Sequence, residues 1–210
     1  MFGCLKVQNY TNNWHLRWNW GIFVYFRNTK FQNMATLLAF AGSNSSTSIN
    51  YSLVKYTTSL IEGHEIQQLN MATMPFPLYS EDYEREHGFS NSLIEFKEDL
   101  QQADGLILSV NEHNSYPSAY MKNLLDWLSR LDRKFLEGTK ILLMSTSGGK
   151  RGGIGSLQVI EAMLPRFGGE VLATFSLPSY SENFSREEGI TDDSLSLEHR
   201  EALQRFLSNF

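Results

Sequence analysis

The sequence is poor in the features that would place it in several common classes. It has one cysteine, Cys4, in 210 residues, so an internal disulfide is excluded, and no Cys/His cluster has zinc spacing. His64, His87 and His199 have no partners at metal spacing and read as surface or core residues; no metal site is expected. No apolar run approaches the roughly 20 residues that cross a bilayer, and the net charge of -5 offers nothing to nucleic acid or an anionic membrane. GxxxxGK[ST], GxGxxG and GxSxG are all missing. Their absence disfavours a nucleotide triphosphatase and leaves neither a dinucleotide fingerprint nor a hydrolase nucleophile elbow. With so little cysteine, a reducing, cytoplasmic setting is the default.

Acidic residues are missing locally as well. Residues 1–33 contain no Asp or Glu, but four Lys/Arg, three of the four tryptophans and six asparagines. The other 177 residues carry 14 basic and 23 acidic groups, a net of -9. The opening lacks the long apolar centre and small-residue cleavage site of a secretory signal. A mitochondrial presequence would be richer in Arg and Ser than its two Arg and no Ser. It reads as an N-terminal extension outside the domain, translated from an upstream start; the alternative is a terminal hairpin or helix packed on the domain. The domain itself is expected over residues 34–210.

What is present from Met34 onward is an alternation of apolar runs and amphipathic segments. "ATLLAFAG", "HEIQQLN", "DGLILSV", "TKILLMSTSGG" and "EVLATFSL" read as five strands. Helices are expected over "TSINYSLVKYTTSLIEG", "NSLIEFKEDLQQA" (capped by Asn91 or Ser92), "SAYMKNLLDWLSRL", "SLQVIEAMLPRFGG" and about Ser194 to Phe210. "MATMPFPLYSEDYEREHGFS", with two prolines and no clear period, reads as a long loop. Apolar strands separated by helices argue for βαβ units, giving an α/β flavodoxin-like three-layer α/β/α sandwich with a five-stranded parallel sheet of order 2-1-3-4-5. In that topology ligands sit beyond the carboxyl ends of the strands, which directs attention to the loops after strands one, three and four.

The first of these loops, "GSNSSTSIN", carries five hydroxyl side chains, two asparagines and no charge. Between a strand and a helix, Gly42 permits a tight exit. Backbone N–H groups, the hydroxyls and the positive end of the helix dipole then converge as an anion cradle. A phosphate monoester such as that of flavin mononucleotide suits it; an ordinary serine-rich turn with an N-cap is the alternative.

Three stretches together carry a family resemblance: "AGSNSSTSIN", "ADGLILSVNEHNSYPSAYMKNLLDWLSR" and "ILLMSTSGGKRGGIGSLQVIEAML". They resemble, in matching order over about Met34 to Phe175, the signature regions of the NADPH-dependent FMN reductase family. That flavodoxin-like group includes FMN, quinone, azo-dye and chromate reductases. Its patterns are a GSxRxxSxN phosphate loop, a PEYN-type loop before a KNxxDW helix, and an SxxGGxxGG loop. The family's arginine falls on Ser45 here, and PEYN becomes Asn111-Glu112-His113-Asn114.

The resemblance implies a flavin-dependent oxidoreductase with FMN and NADPH (or NADH) as cofactors. A hydride would pass through the flavin to a quinone-like or other small-molecule electron acceptor. Ser43, Asn44, Ser45, Ser48 and Asn50 would hold the phosphate with backbone amides. Asn111, Glu112, His113 and Asn114 would line one edge of the isoalloxazine, His113 beside the ring or facing solvent and Glu112 accepting hydrogen bonds within its turn. Ser147, Gly148 and Gly149 would approach the pyrimidine end, where glycines permit close backbone approach and positive φ. Lys150 and Arg151 would meet an NADPH phosphate or stay solvated. Tyr79 would cover the site or pack on the surface, and Trp127 belongs to the core or to a subunit seam in a homodimer or homotetramer. No side chain is nominated as catalytic acid, base or nucleophile. Two further readings stay open: a reductase releasing reduced FMN as a diffusing product, and a non-enzymatic flavodoxin-like electron carrier.

Overall fold

The computed structural model describes residues 34–210. The expectation for residues 1–33 lies outside the described residues. Five strands, β1 (Thr36–Ala41), β2 (Glu65–Leu69), β3 (Gly105–Val110), β4 (Lys140–Thr146) and β5 (Glu170–Leu177), pair in parallel in the order 2-1-3-4-5. The architecture is the three-layer α/β/α sandwich that the alternation of runs requires.

Alternation within each strand divides the core between the two faces. Leu37, Ala39 and Ala41 of β1 face α1 (Ile49–Ser59) and the last long helix, Asp193–Leu207. Leu38 and Phe40 face the other layer, built from helices Asn91–Gln102, Ala119–Leu131 and Ile154–Met163. Every residue of β3 is buried, so its sequence, GLILSV, is apolar on both sides except at Ser109.

The long loop expected after β2 contains an α-helix, α2 (Glu81–His87). It carries no apolar stripe, which is why periodicity misses it, but its end signals are complete. Ser80 Oγ accepts from Tyr83 N, acids fill the first turn, Arg85 and His87 lie in the last, and Gly88 follows at φ 67°. The next helix, α3 (Asn91–Gln102), is capped by Ser90 instead of Asn91 or Ser92; Ser90 Oγ accepts from Leu93 N. Helix α4 (Ala119–Leu131) is capped by Ser118. Helix α5 (Ile154–Met163) starts two residues before the expected Ser156, and Pro165 turns its end into a 3-10 turn. The chain closes with α6 (Tyr180–Asn183), a small hairpin pairing Phe184–Ser185 with Gly189–Ile190, and α7 (Asp193–Leu207). Among the described residues no helix is long and apolar enough to cross a membrane, and no cluster of His, Cys, Asp or Glu could hold a metal.

One core residue is unusual. His199 on α7 is fully buried against Tyr56 and Phe175. Its Nε2 lies 2.9 Å from Thr57 Oγ1, whereas Nδ1 has no partner. Burial, helped by the charge of Arg200, lowers its pKa to about 4.

Candidate functional site

The loop leaving β1 is built by its own hydroxyls. Gly42 N donates to Ser109 O at 2.9 Å, extending the β1–β3 ladder by one bond. Ser43 Oγ then accepts from Ser45 N, and Ser45 Oγ from Thr47 N, both at 3.3 Å; Ser48 N donates to Ser45 O. Ser48 Oγ caps α1 by accepting from Tyr51 N at 3.2 Å. With these bonds made, the N–H groups of Asn44, Ser46, Ile49 and Asn50 have no hydrogen-bond partner among the described residues. Two are exposed loop amides and two belong to the first helical turn, where no intrahelical acceptor exists. Such a set can receive phosphate oxygens.

Asn50 itself turns inward. It is buried, and its Oδ1 accepts from Ser109 Oγ at 2.8 Å and Thr146 N at 3.0 Å, while Nδ2 donates to Thr146 O at 3.0 Å. Ser109 lies next to the end of β3 and Thr146 ends β4, so one amide fastens the start of α1 to the carboxyl ends of two neighbouring strands. Its side chain therefore serves as a bracket beneath the loop instead of a group facing the cleft.

Beside the loop lies an open cleft of about 390 Å³. Ser43, Asn44 and Ser45 form one side; Asn111 and His113 reach it from the loop after β3. Ser118, Tyr120 and Asn123 contribute from α4, and Phe76 and Leu78 supply an apolar wall. No Lys, Arg, Asp or Glu lines it. Asn111 Nδ2 lies 3.2 Å from His113 Nε2, and its Oδ1 is buried without a partner, an acceptor still open to a ligand donor.

That apolar wall is held by α4. Tyr120 OH donates to Met74 O at 2.8 Å, Asn123 Nδ2 and Trp127 Nε1 both donate to Pro77 O, and Asn123 Oδ1 accepts from Tyr79 N at 2.8 Å. Burial raises the pKa of Tyr120 well above the usual phenol range, so it remains a neutral donor. Tyr79 does not line the cleft. Its ring meets Trp127 edge-on at 5.0 Å, and its hydroxyl donates to Glu84. Hydrogen bonds from Arg130 and then Tyr79 hold the Glu84 carboxyl below its ordinary range. Trp127 is a core residue, 3% exposed. The cleft residues missed in the sequence are Phe76, Leu78, Ser118, Tyr120 and Asn123. Only Asn123 carried a signal, through the KNxxDW pattern.

Glu112 and Asn114 shape the neighbouring loop. Residues 112–117 form a hairpin whose two-residue turn, Asn114 (φ 53°) and Ser115 (φ 65°), has the positive φ values of a type I′ turn. Glu112 Oε2 accepts from Ser156 N at 3.0 Å, supplying the acceptor that the N-terminus of α5 lacks in its own N-cap, Gly153. Its acceptance therefore crosses to a helix instead of closing its own turn. Gly155 allows the approach, since a Cβ there would lie 2.7 Å from Ser115 O.

Ser147, Gly148 and Gly149 stand on the adjacent loop and do not line the 390 Å³ cleft. Tyr180 N donates to Ser147 O and Ser179 N to Gly149 O, tying this loop to the end of β5. Gly148 and Gly149 do not use the positive φ open to glycine; Gly152 (60°) and Gly153 (80°) do, where the chain turns into α5. The space beside Gly148 is open. Lys150 and Arg151 are exposed and form no ion pair among the described residues.

Comparison with known proteins fits this arrangement. The chain is 38% identical over 77 residues to a quinone reductase of Escherichia coli K12; the match covers 37% of this chain and 41% of that protein's length. It is 28% identical over 117 residues to an NAD(P)H-dependent FMN reductase of Pseudomonas aeruginosa, covering 55% of this chain and 62% of that one. Its fold superposes on FerB, a flavoenzyme NAD(P)H:(acceptor) oxidoreductase from Paracoccus denitrificans, with a TM-score of 0.68 at 21% identity. That alignment covers 83% of this chain and 96% of FerB. The family model for NADPH-dependent FMN reductase matches residues 35–182, and the chain belongs to that family.

Proposed function

We propose that residues 34–210 form a flavin-binding domain that uses FMN and NAD(P)H to reduce a quinone-like or other small acceptor. The observation that carries the reading is the uncharged cradle at Ser43–Ser48, fastened by Asn50 to the ends of β3 and β4 beside the open cleft. FMN fits the donor set: amides of Asn44, Ser46, Ile49 and Asn50 with serine hydroxyls for the phosphate, and the orphaned Asn111 Oδ1 for a ring or ribityl donor. When bound, a flavin accepts a hydride from a nicotinamide and passes electrons onward.

The protein's own work is binding and orientation. In this reading Phe76 and Leu78 exclude water from one side of the cleft and offer an apolar surface to an aromatic acceptor. Asn111 and His113 face them, and the open space beside Gly148 leaves room for the ring edge. Two large apolar side chains near the cleft are bare: Leu78 is 80% exposed and Tyr116 65%. They support assembly as a homodimer or homotetramer that covers them. A cytoplasmic setting agrees with the single cysteine. The serine at position 45, in place of a cation, also favours loose retention, in which reduced FMN leaves as product.

The test is titration of FMN into the purified protein by flavin absorbance, followed by NAD(P)H oxidation with a quinone. Ser43→Ala and Ser48→Ala should each weaken FMN several-fold. Unchanged affinity in both would remove the cradle from the reading.

A further inference from the structure

A quinone that becomes a hydroquinone takes up two electrons and two protons. A reduced nicotinamide supplies both electrons but, as a hydride, only one hydrogen. The second proton has to come from water or from a side chain at the cleft, and few side chains there are able to give one.

Among the described residues no Lys, Arg, Asp or Glu lines the cleft. Tyr120 gives its hydroxyl hydrogen to Met74 O, and burial keeps the phenol neutral. Ser118 Oγ donates to Gly42 O, and the Asn123 amide is committed at both ends, to Pro77 O and Tyr79 N. Amides and serine hydroxyls hold their protons at neutral pH. His113 remains, and imidazole is the side chain that gains and loses a proton in that range.

His113 is also firmly placed. Ser156 fastens the two residues before it, Oγ donating to Asn111 O at 2.9 Å and N donating to Glu112 Oε2 at 3.0 Å. Tyr116 is its partner across the hairpin. Asn111 Nδ2 lies 3.2 Å from His113 Nε2. An amide nitrogen only donates, so Nε2 accepts and the hydrogen of the neutral ring sits on Nδ1, which has no partner among the described residues. Turned over, the same amide brings its unpartnered Oδ1 to the Nε2–H of the imidazolium. Asn111 thus serves both protonation states. Charged groups on the neighbouring elements are engaged or turned outward. The Glu112 carboxylate is bonded to α5, whose single acid, Glu161, is exposed; Lys122 of α4 is paired with Asp126.

We propose that His113 is the general acid of acceptor reduction. The proposal rests on the flavin reading above and adds a catalytic residue to it. The Nδ1–H bond of the imidazolium breaks as an O–H bond forms on the acceptor oxygen left negative by hydride uptake. Water then returns a proton to Nδ1. The sum is quinone, NAD(P)H and one proton giving hydroquinone and NAD(P)+. An acceptor that takes electrons alone, such as ferricyanide, has no use for this proton.

The experiment compares the two kinds of acceptor. The FMN-loaded full chain is charged with NADPH and mixed, without oxygen, with benzoquinone or with ferricyanide. His113→Ala should slow benzoquinone about a hundredfold more than ferricyanide, and added imidazole should restore the quinone rate. In the parent protein the ratio of quinone to ferricyanide rates should fall as pH rises through the range where imidazole loses its proton; in the variant it should stay flat. Apart from turnover, hydroquinone added to the FMN-loaded protein should move the ring nitrogen signals of His113 in an NMR spectrum. Equal losses with both acceptors and no rescue by imidazole overturn the proposal and leave His113 as a flavin contact. Ring signals that hydroquinone does not move overturn it too. If FMN does not bind, or the loaded protein reduces neither acceptor, the flavin reading itself falls and the proposal with it.

Discussion

The two long walls of the cleft are held in different ways. Ser43–Ser48 is organised by hydrogen bonds between residues two or three apart, serine oxygens accepting from nearby amides. The wall carrying Phe76 and Leu78 has little such internal support; it hangs from α4 by bonds spanning 44 to 50 residues. The first wall keeps its donors free because its own side chains shape it. The second is positioned from behind, so its apolar side chains face the cleft without supplying the structure that holds them.

The contrast can be broken at its strongest point. Asn50→Ala removes three buried hydrogen bonds and leaves Thr146 N and Ser109 Oγ without their partner, which should cost about 4 kcal/mol. Urea unfolding would show it; a loss below about 1 kcal/mol would mean that Asn50 does not hold the first wall.

Acid should separate the two sides next. His199 packs on α1, behind the serine loop, and α4 lies on the opposite face of the sheet. Its folded pKa of about 4 is below the unfolded value, so the unfolded chain binds the proton first. Stability is complete above about pH 6.5, falls between there and about pH 4, and loses about 3 kcal/mol over that window. His199→Leu should flatten this part of the curve. Parallel acid profiles for the two proteins would count against the assignment.

The smallest effect is expected at the second wall. Asn123→Ala should cost about 2 kcal/mol and make the chain between Phe76 and Tyr79 more sensitive to protease, with little change in flavin affinity. Protection equal to that of the parent protein would show that Trp127 and Tyr120 hold the wall unaided.

The same contrast explains what could be read in advance. The strands, the sheet order and the serine loop are local patterns: apolar runs bounded by turn residues, and hydroxyls beside a strand end. Helix α2 escaped because its signals lie in capping and charge, not in an apolar stripe. The grip of Asn123 and Trp127 on Pro77 escaped because no local pattern joins residues so far apart. Asn50 reads in sequence as one more polar group of the serine loop, but its burial depends on where β3 and β4 end, which only the folded sheet decides. Sequence shows that glycine permits a left-handed backbone in the loop after β4, but not which glycine uses it: Gly152 and Gly153 do, and Gly148 and Gly149 do not.

Gly42 joins the two walls. A Cβ there would lie 2.5 Å from the Met121 sulfur, and Ser118 Oγ donates to its carbonyl; both partners belong to the start of α4. The helix that carries one bank of the cleft thus rests directly on the root of the other. Any side chain at position 42 would have to displace Met121, so a single added carbon there would unseat the helix behind one bank and distort the exit of the strand that carries the other.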